Sequence, residues 1–114
     1  MDAIPPPLPE PAPDDIRLED VFGALNEPLR LGVVRKLLLE APGTARPCGW
    51  VGIDPSPKST LTHHFRILRE AGVTRQRQYG LERRSEVRIS DLDSRFPGLL
   101  DPVQSWQPSV RQPG

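Results

Sequence analysis

The sequence has a single cysteine, Cys48, among 114 residues. No disulfide can close within the chain, which fits a reducing compartment such as the cytosol. Its two histidines, His63 and His64, are neighbours. Adjacent helical residues point about 100° apart and chelate one ion poorly, so no metal site is expected. Aromatic residues make up 5% of the chain, with one tyrosine, which leaves little for stacking single-stranded bases. No apolar run approaches the roughly 20 residues of a membrane span. The N-terminus lacks a basic region followed by an apolar stretch, so neither a signal peptide nor a membrane partner is expected. There is no glycine-rich phosphate loop, no paired carboxylates on one element and no Ser/Cys–His spacing of a nucleophilic site. An enzyme is therefore not expected, nor a cofactor.

Net charge is also lacking, since the formal total is zero, but the charges are unevenly placed. Residues 1–15 carry Asp2, Glu10, Asp14 and Asp15 and no base. Residues 16–89 carry 13 bases against 8 acids, and residues 58–89 hold eight of those bases against Glu70, Glu82 and Glu86. A basic stretch on a small domain is the electrostatic footprint of a polyanion partner, the alternative being a solvated charged face.

Proline is abundant, at 15 residues, and clustered. Six prolines fall between Pro5 and Pro13, so residues 1–15 are expected to be a disordered tail of polyproline II character. Residues 107–114 are polar and expected to be loose. The single domain between them, residues 16–106, can bury one modest core, and a dimer would add buried apolar surface.

Within that domain Leu18, Val21, Phe22 and Leu25 fall on one helical face. Pro28 suits the first turn of a second helix running to Glu40, apolar on more than one side, with Arg30, Arg35 and Lys36 expected to point outward. Residues 41–57 hold four prolines and three glycines and read as loop, with room for one short helix near Cys48 to Ile53. The clearest helix runs from Ser56 to Ala71. Ser56 is its expected N-cap, Pro57 its first-turn residue and Gly72 its stop, and Leu61, Phe65 and Leu68 form its apolar face. Val73–Tyr79 and Arg83–Ile89 read as two strands joined by the loop Gly80, Leu81, Glu82. Ser90 to Asp93 reads as a capped turn before a last broken helix within Phe96–Trp106. The fold class is thus mainly α with a β-hairpin wing: about five helices and two antiparallel strands in a winged helix-turn-helix.

Two segments carry a family resemblance. Lys58 to Val73 (KSTLTHHFRILREAGV) closely resembles the recognition helix of the ArsR (arsenical-resistance repressor) family of bacterial regulators. Thr62 stands at that family's hydroxyl position, His64 at its histidine, Phe65 at the apolar residue, and Leu68 to Val73 match the closing "Leu-Arg-Glu-Ala-Gly-Leu/Val". Leu25 to Leu31 (LNEPLRL) is similar to the segment joining the family's first two helices. The resemblance covers about Leu18 to Leu100. It departs at Pro47–Asp54, where the family has a regular third helix and this chain is too rich in glycine for one; Trp50 and Ile53 are the expected packing residues there.

The resemblance implies a repressor that binds double-stranded DNA at an inverted repeat as a homodimer. On that basis Lys58, Ser59, Thr60, Thr62 and His63 would face the major groove, and Arg66 and Arg69 would reach phosphates. Arg77, Gln78, Arg83 and Arg84 would form the wing. His64 matches a position that packs or bonds near the backbone rather than reading a base. Leu18, Val21, Phe22, Phe96, Leu99, Leu100 and Val103 would supply the dimer contact. One cysteine and no histidine on the last helix leave a metal-sensing role without ligands, and the nature of any small-molecule or redox effector stays open. The competing reading is a winged-helix module for protein contacts, with the proline-rich tail as a second binding element.

Overall fold

The computed structural model describes residues 3–51 and 58–107, with side chains omitted at 51, 58 and 59. Among the described residues there are five α-helices and three strands: α1 (Leu18–Leu25), α2 (Pro28–Glu40), β1 (Arg46–Pro47), α3 (Lys58–Glu70), β2 (Thr74–Tyr79), β3 (Glu82–Val87), α4 (Ile89–Arg95) and α5 (Leu100–Ser105). The expected Ser56 cap, the Pro57 first turn, the Ile53 contact and residues 108–114 lie outside the described residues.

α2 is the centre of the core. Val33, Val34, Leu37 and Leu38 are all buried, so this helix meets neighbours on more than one side. Around it pack Val21 and Ala24 of α1, Phe65 and Leu68 of α3, Val73 just before β2, Val87 of β3, and Leu92, Leu100 and Val103 from the last two helices. Burying a side chain such as Phe65 or Leu68 is worth about 1.5–3 kcal/mol, so α3 is held chiefly by its apolar face.

The sheet is antiparallel in the order β1-β3-β2. Thr74 pairs with Val87 at one end of the hairpin and Tyr79 with Glu82 at the other, so its turn is the two residues Gly80 and Leu81, one shorter than the sequence suggests. Gly80 has φ +61°, the left-handed value a type II′ turn requires at its first central position. The third strand, β1, was not expected: Arg46 pairs with Ser85 and Pro47 with Arg84. Two residues ending in proline carry no alternation to read, and only the free edge of β3 makes them a strand. A 3-10 turn, Cys48–Val51, stands where a regular helix would precede α3 in the resembled family.

Other local readings change as well. Asp91 lies inside α4 and accepts from Arg88 Nε at 3.0 Å, so it caps no turn. Arg30 and Lys36 do not simply point outward: Arg30 bonds to α1, and the Lys36 ammonium sits 5.1 Å from the centre of the Trp50 ring. Trp50 is half-buried against the core, as expected.

The expectation of a loose N-terminal tail made no provision for the contacts residues 3–16 make. Leu8 N–H donates to the Gln76 carbonyl at 2.8 Å, and Pro7 bridges Arg77, along the edge of β2 not used by β3. The flanking prolines have no N–H to offer a further strand, so this segment both covers the sheet edge and ends it. Glu10 then accepts from Arg75 Nη2 at 2.8 Å and lies 3.2 Å from Arg88 Nη1, on a side chain 1% exposed. Arg88 also donates to the Pro11 carbonyl at 2.8 Å. Ile16 is fully buried and packs against Gly72, whose φ is +86° and where an added Cβ would lie 2.7 Å from the Ile16 side chain.

Two stability predictions follow. Glu10→Ala should lower the unfolding free energy by about 1–2 kcal/mol, because the buried Arg88 charge loses a partner while keeping Asp91. An unchanged midpoint in denaturant would show that the segment adds nothing to the fold. Gly72→Ala should cost about 2–3 kcal/mol from left-handed strain and the Ile16 clash together, and Gly23→Ala, with open space around it, should cost nothing.

Candidate nucleic-acid interface

α3 is amphipathic: Phe65 and Leu68 are buried, and Thr62, His63 and Arg66 are exposed on the opposite side. Arg66 is three residues from His63 and four from Thr62, so it adjoins both on the helix surface. Thr60 is half-buried one turn earlier. The side chains of Lys58 and Ser59 lie outside the described residues. Arg66 Nη2 is 3.2 Å from His63 Nδ1, so the two form one polar surface.

Arg69, one turn further on, is half-buried and leans toward the hairpin, where its Nη1 donates to Gln76 Oε1 at 3.1 Å. Gln76 is itself fully buried, and its amide donates to Ser85 Oγ at 3.0 Å. Burial, and then the nearby positive charge of Arg83, pushes the Arg69 guanidinium below its ordinary value. Arg69 and Arg83 thus bring two cations together where helix and wing meet, an arrangement that an anion between them would relieve.

The hairpin divides its bases between two faces, because side chains alternate along a strand. Gln78 and Arg83 are cross-strand partners on the face toward α3, and Arg83 Nε donates to Gln78 Oε1 at 3.1 Å. Arg77 and Arg84 are partners on the opposite face. There Arg84 stacks over Tyr79, its guanidinium carbon 4.4 Å from the ring centre, and is paired with Glu82. Arg77 is engaged by Glu86 at 3.1 Å and by the Pro5 carbonyl at 2.9 Å. The four residues expected to act as one wing surface are therefore two pairs.

Between wing and α3 lies a cleft of about 630 Å³, with Cys48, Leu61, Thr62, Phe65 and Leu81 in its walls. Leu81, at the tip of the turn, is fully exposed. The Cys48 sulfur lies 3.9 Å from the Arg83 carbonyl.

The seven residues expected at a dimer contact also divide. Leu18 and Phe22 are exposed, at 38% and 54%. Phe96 and Leu99 are half-buried against the core. Val21, Leu100 and Val103 are buried in the chain's own core and present no surface to a partner.

Sequence reasoning missed Gln76 and the role of Arg30. Gln76 gave no signal, since a polar residue on a short strand reads as solvent-facing. Arg30 sat inside the LNEPLR segment, and that position was the clue. Glu27 accepts the Arg30 N–H at 3.0 Å as the N-cap of α2. Among the described residues no cluster of three metal-ligating side chains occurs, and no helix is long and apolar enough to cross a membrane.

An outward polar helix, packed on a three-helix core and flanked by a short antiparallel hairpin, defines a winged helix-turn-helix protein. The chain is 34% identical over 89 residues to YceK of Bacillus subtilis, an uncharacterised HTH-type transcriptional regulator, a match covering 77% of this chain and 86% of that protein. A similar 34% identity over 61 residues relates it to an uncharacterised HTH-type transcriptional regulator of Methanocaldococcus jannaschii, covering 54% of this chain and 66% of that one. No protein-family profile matches. The chain belongs to the HTH-type transcriptional regulators.

The Glu27 cap generates a pH prediction. Burial opposes its charge, but the N–H groups of Arg30 and Leu29 outweigh that and hold the carboxyl below its ordinary value. A depressed folded value means stability that is present above the unfolded-chain value and lost as pH falls through the folded one. Glu27→Ala should therefore cost about 1 kcal/mol at neutral pH. The gap to wild type should close below the ordinary carboxylate range. A gap that persists unchanged in acid would mean that the carboxylate charge is not what caps α2.

Proposed function

We propose that this protein is a sequence-specific regulator of the ArsR kind that binds double-stranded DNA as a homodimer on an inverted repeat and represses transcription. Residues 16–106 form the binding and dimerisation unit. The observation that carries the reading is the single exposed polar face of α3, where Thr62, His63 and Arg66 adjoin, with Arg69 and Arg83 beside it. Small hydroxyls and an imidazole reach base edges in a major groove, and guanidinium groups flanking them neutralise phosphates. In this reading Lys58, Ser59, Thr60, Thr62 and His63 meet bases. Arg66, Arg69, Arg83 and Gln78 meet the backbone on the near side, and Arg84 and Arg77 follow along the outer face of the wing. Exposed Leu18 and Phe22, four residues apart on α1, together with the half-buried Phe96 and Leu99, supply the apolar contact between copies.

The test is selection of genomic fragments by the purified protein, repeated at several salt concentrations, with sedimentation to give the oligomeric state. Enrichment of an inverted repeat by a dimer is the expected result. Arg83→Ala should weaken binding to every duplex alike and reduce the salt slope by about 1, whereas Thr62→Ala or His63→Ala should cost about 1–3 kcal/mol on the enriched sequence only. Phe22→Asp should shift the protein toward monomer. A protein that enriches no sequence, or Thr62 and His63 variants with unaltered preference, would refute the assignment of α3 as the reading helix.

A further inference from the structure

In the helix-turn-helix arrangement the helix preceding the recognition helix braces it. Among the described residues that place holds a 3-10 turn, Cys48–Val51. A polar contact also ties α3 to the two helices before it. Arg30, in the first turn of α2, donates from Nε to the Ala24 carbonyl at 2.6 Å and from Nη2 to the Gly23 carbonyl at 3.5 Å, both near the C-terminal end of α1. Its Nη1 lies 3.1 Å from Nδ1 of His64, in the middle of α3. Glu27, which caps α2, has its Oε2 3.9 Å from the same nitrogen. One guanidinium of α2 therefore touches two other helices, α1 and α3, and the imidazole is the only part of α3 it holds among the described contacts.

We propose that Arg30 and His64 are positioning residues that set the seat of α3 on α1 and α2, so that the neighbouring Thr62 and His63 meet bases in register. The proposal rests on the DNA-reading role of α3 given above. A guanidinium only donates, so the tautomer that fits this contact is the one in which Nδ1 accepts and Nε2 carries the proton. His64 itself touches no DNA. It acts through the angle of the helix, and its neighbour His63, with rings 5.9 Å apart, is the reader displaced when that angle changes. Sub-ångström placement matters for base edges and little for phosphates, so loss of the tie separates specific from non-specific binding.

The experiment uses the full chain, a duplex carrying the enriched genomic sequence, and a shuffled duplex of equal length. His64→Leu should lose about tenfold in affinity for the enriched duplex, as expected of a lost hydrogen bond to a charged group, and keep its affinity for the shuffled one. His64→Asn places an acceptor oxygen close to where Nδ1 stood and should recover most of the loss. Nitrogen-15 spectra of the wild-type ring at pH 8 should show the proton on Nε2. Equal losses on both duplexes, no recovery by asparagine, or a proton on Nδ1 would each overturn the proposal. If wild type discriminates neither duplex, the DNA reading fails and this role falls with it, while the ring spectrum still reports whether the Arg30 contact exists.

Discussion

The structure depends on the seating of α3 through Phe65 and Leu68. These two side chains are fully buried against the core around α2, and their burial decides which way the rest of the helix faces. The strands that follow begin four residues after the helix ends. Once Phe65 and Leu68 are inside, helical geometry alone puts Thr62, His63 and Arg66 outside. The short link through Gly72 then brings the hairpin alongside α3 rather than elsewhere on the molecule, because its left-handed φ turns the chain back within one residue.

How much of this was legible follows from what each signal measures. Apolar periodicity found α1 and α3, since each has one face to bury, while α2 was read from Pro28 and a run apolar on more than one side. Hairpin alternation with a glycine between found β2 and β3. The same methods were blind to β1, where two residues are strand only because an edge was available. They also misjudged Arg30, because periodicity treats a charged residue as outward and has no means to see a guanidinium spanning three helices. The exposed face of α3 was readable down to Thr62 and His63. The division of Arg83 from Arg84 follows from strand alternation once the register is fixed, but the register became known only with the turn length. The expected dimer face was least legible: Val21, Leu100 and Val103 are apolar for the chain's own core, and apolarity does not say which surface a residue serves.

The acidic N-terminal stretch gives the charge asymmetry a structural meaning. Glu10 does not oppose the whole basic hairpin but engages Arg75 and Arg88, and the Pro5 and Pro11 carbonyls engage Arg77 and Arg88. These contacts lie at the edge of β2 away from β3 and at the base of the wing, remote from the turn. The outer face of the hairpin is thereby partly neutralised: Glu86 takes Arg77, and Glu82 takes Arg84. On the side toward α3 no acidic residue pairs with Arg69 or Arg83 among the described ion pairs, and the two hold hydrogen bonds only to glutamines, Gln76 and Gln78.

A chain with no net charge can therefore still present a directed field. What matters for a polyanion is not the sum over all residues but which charges are already paired within the fold. Arg77 and Arg84 are paired with carboxylates, whereas Arg69 and Arg83 are bonded to neutral amides that fix their direction without cancelling their charge. Burial, and after it the nearby charge of Arg83, lowers the Arg69 value, with Glu70 acting the other way. An anion arriving where helix and wing converge would favour the charged form of both guanidinium groups. The same alternation that splits the wing thus selects one side of it, the side continuous with the exposed face of α3.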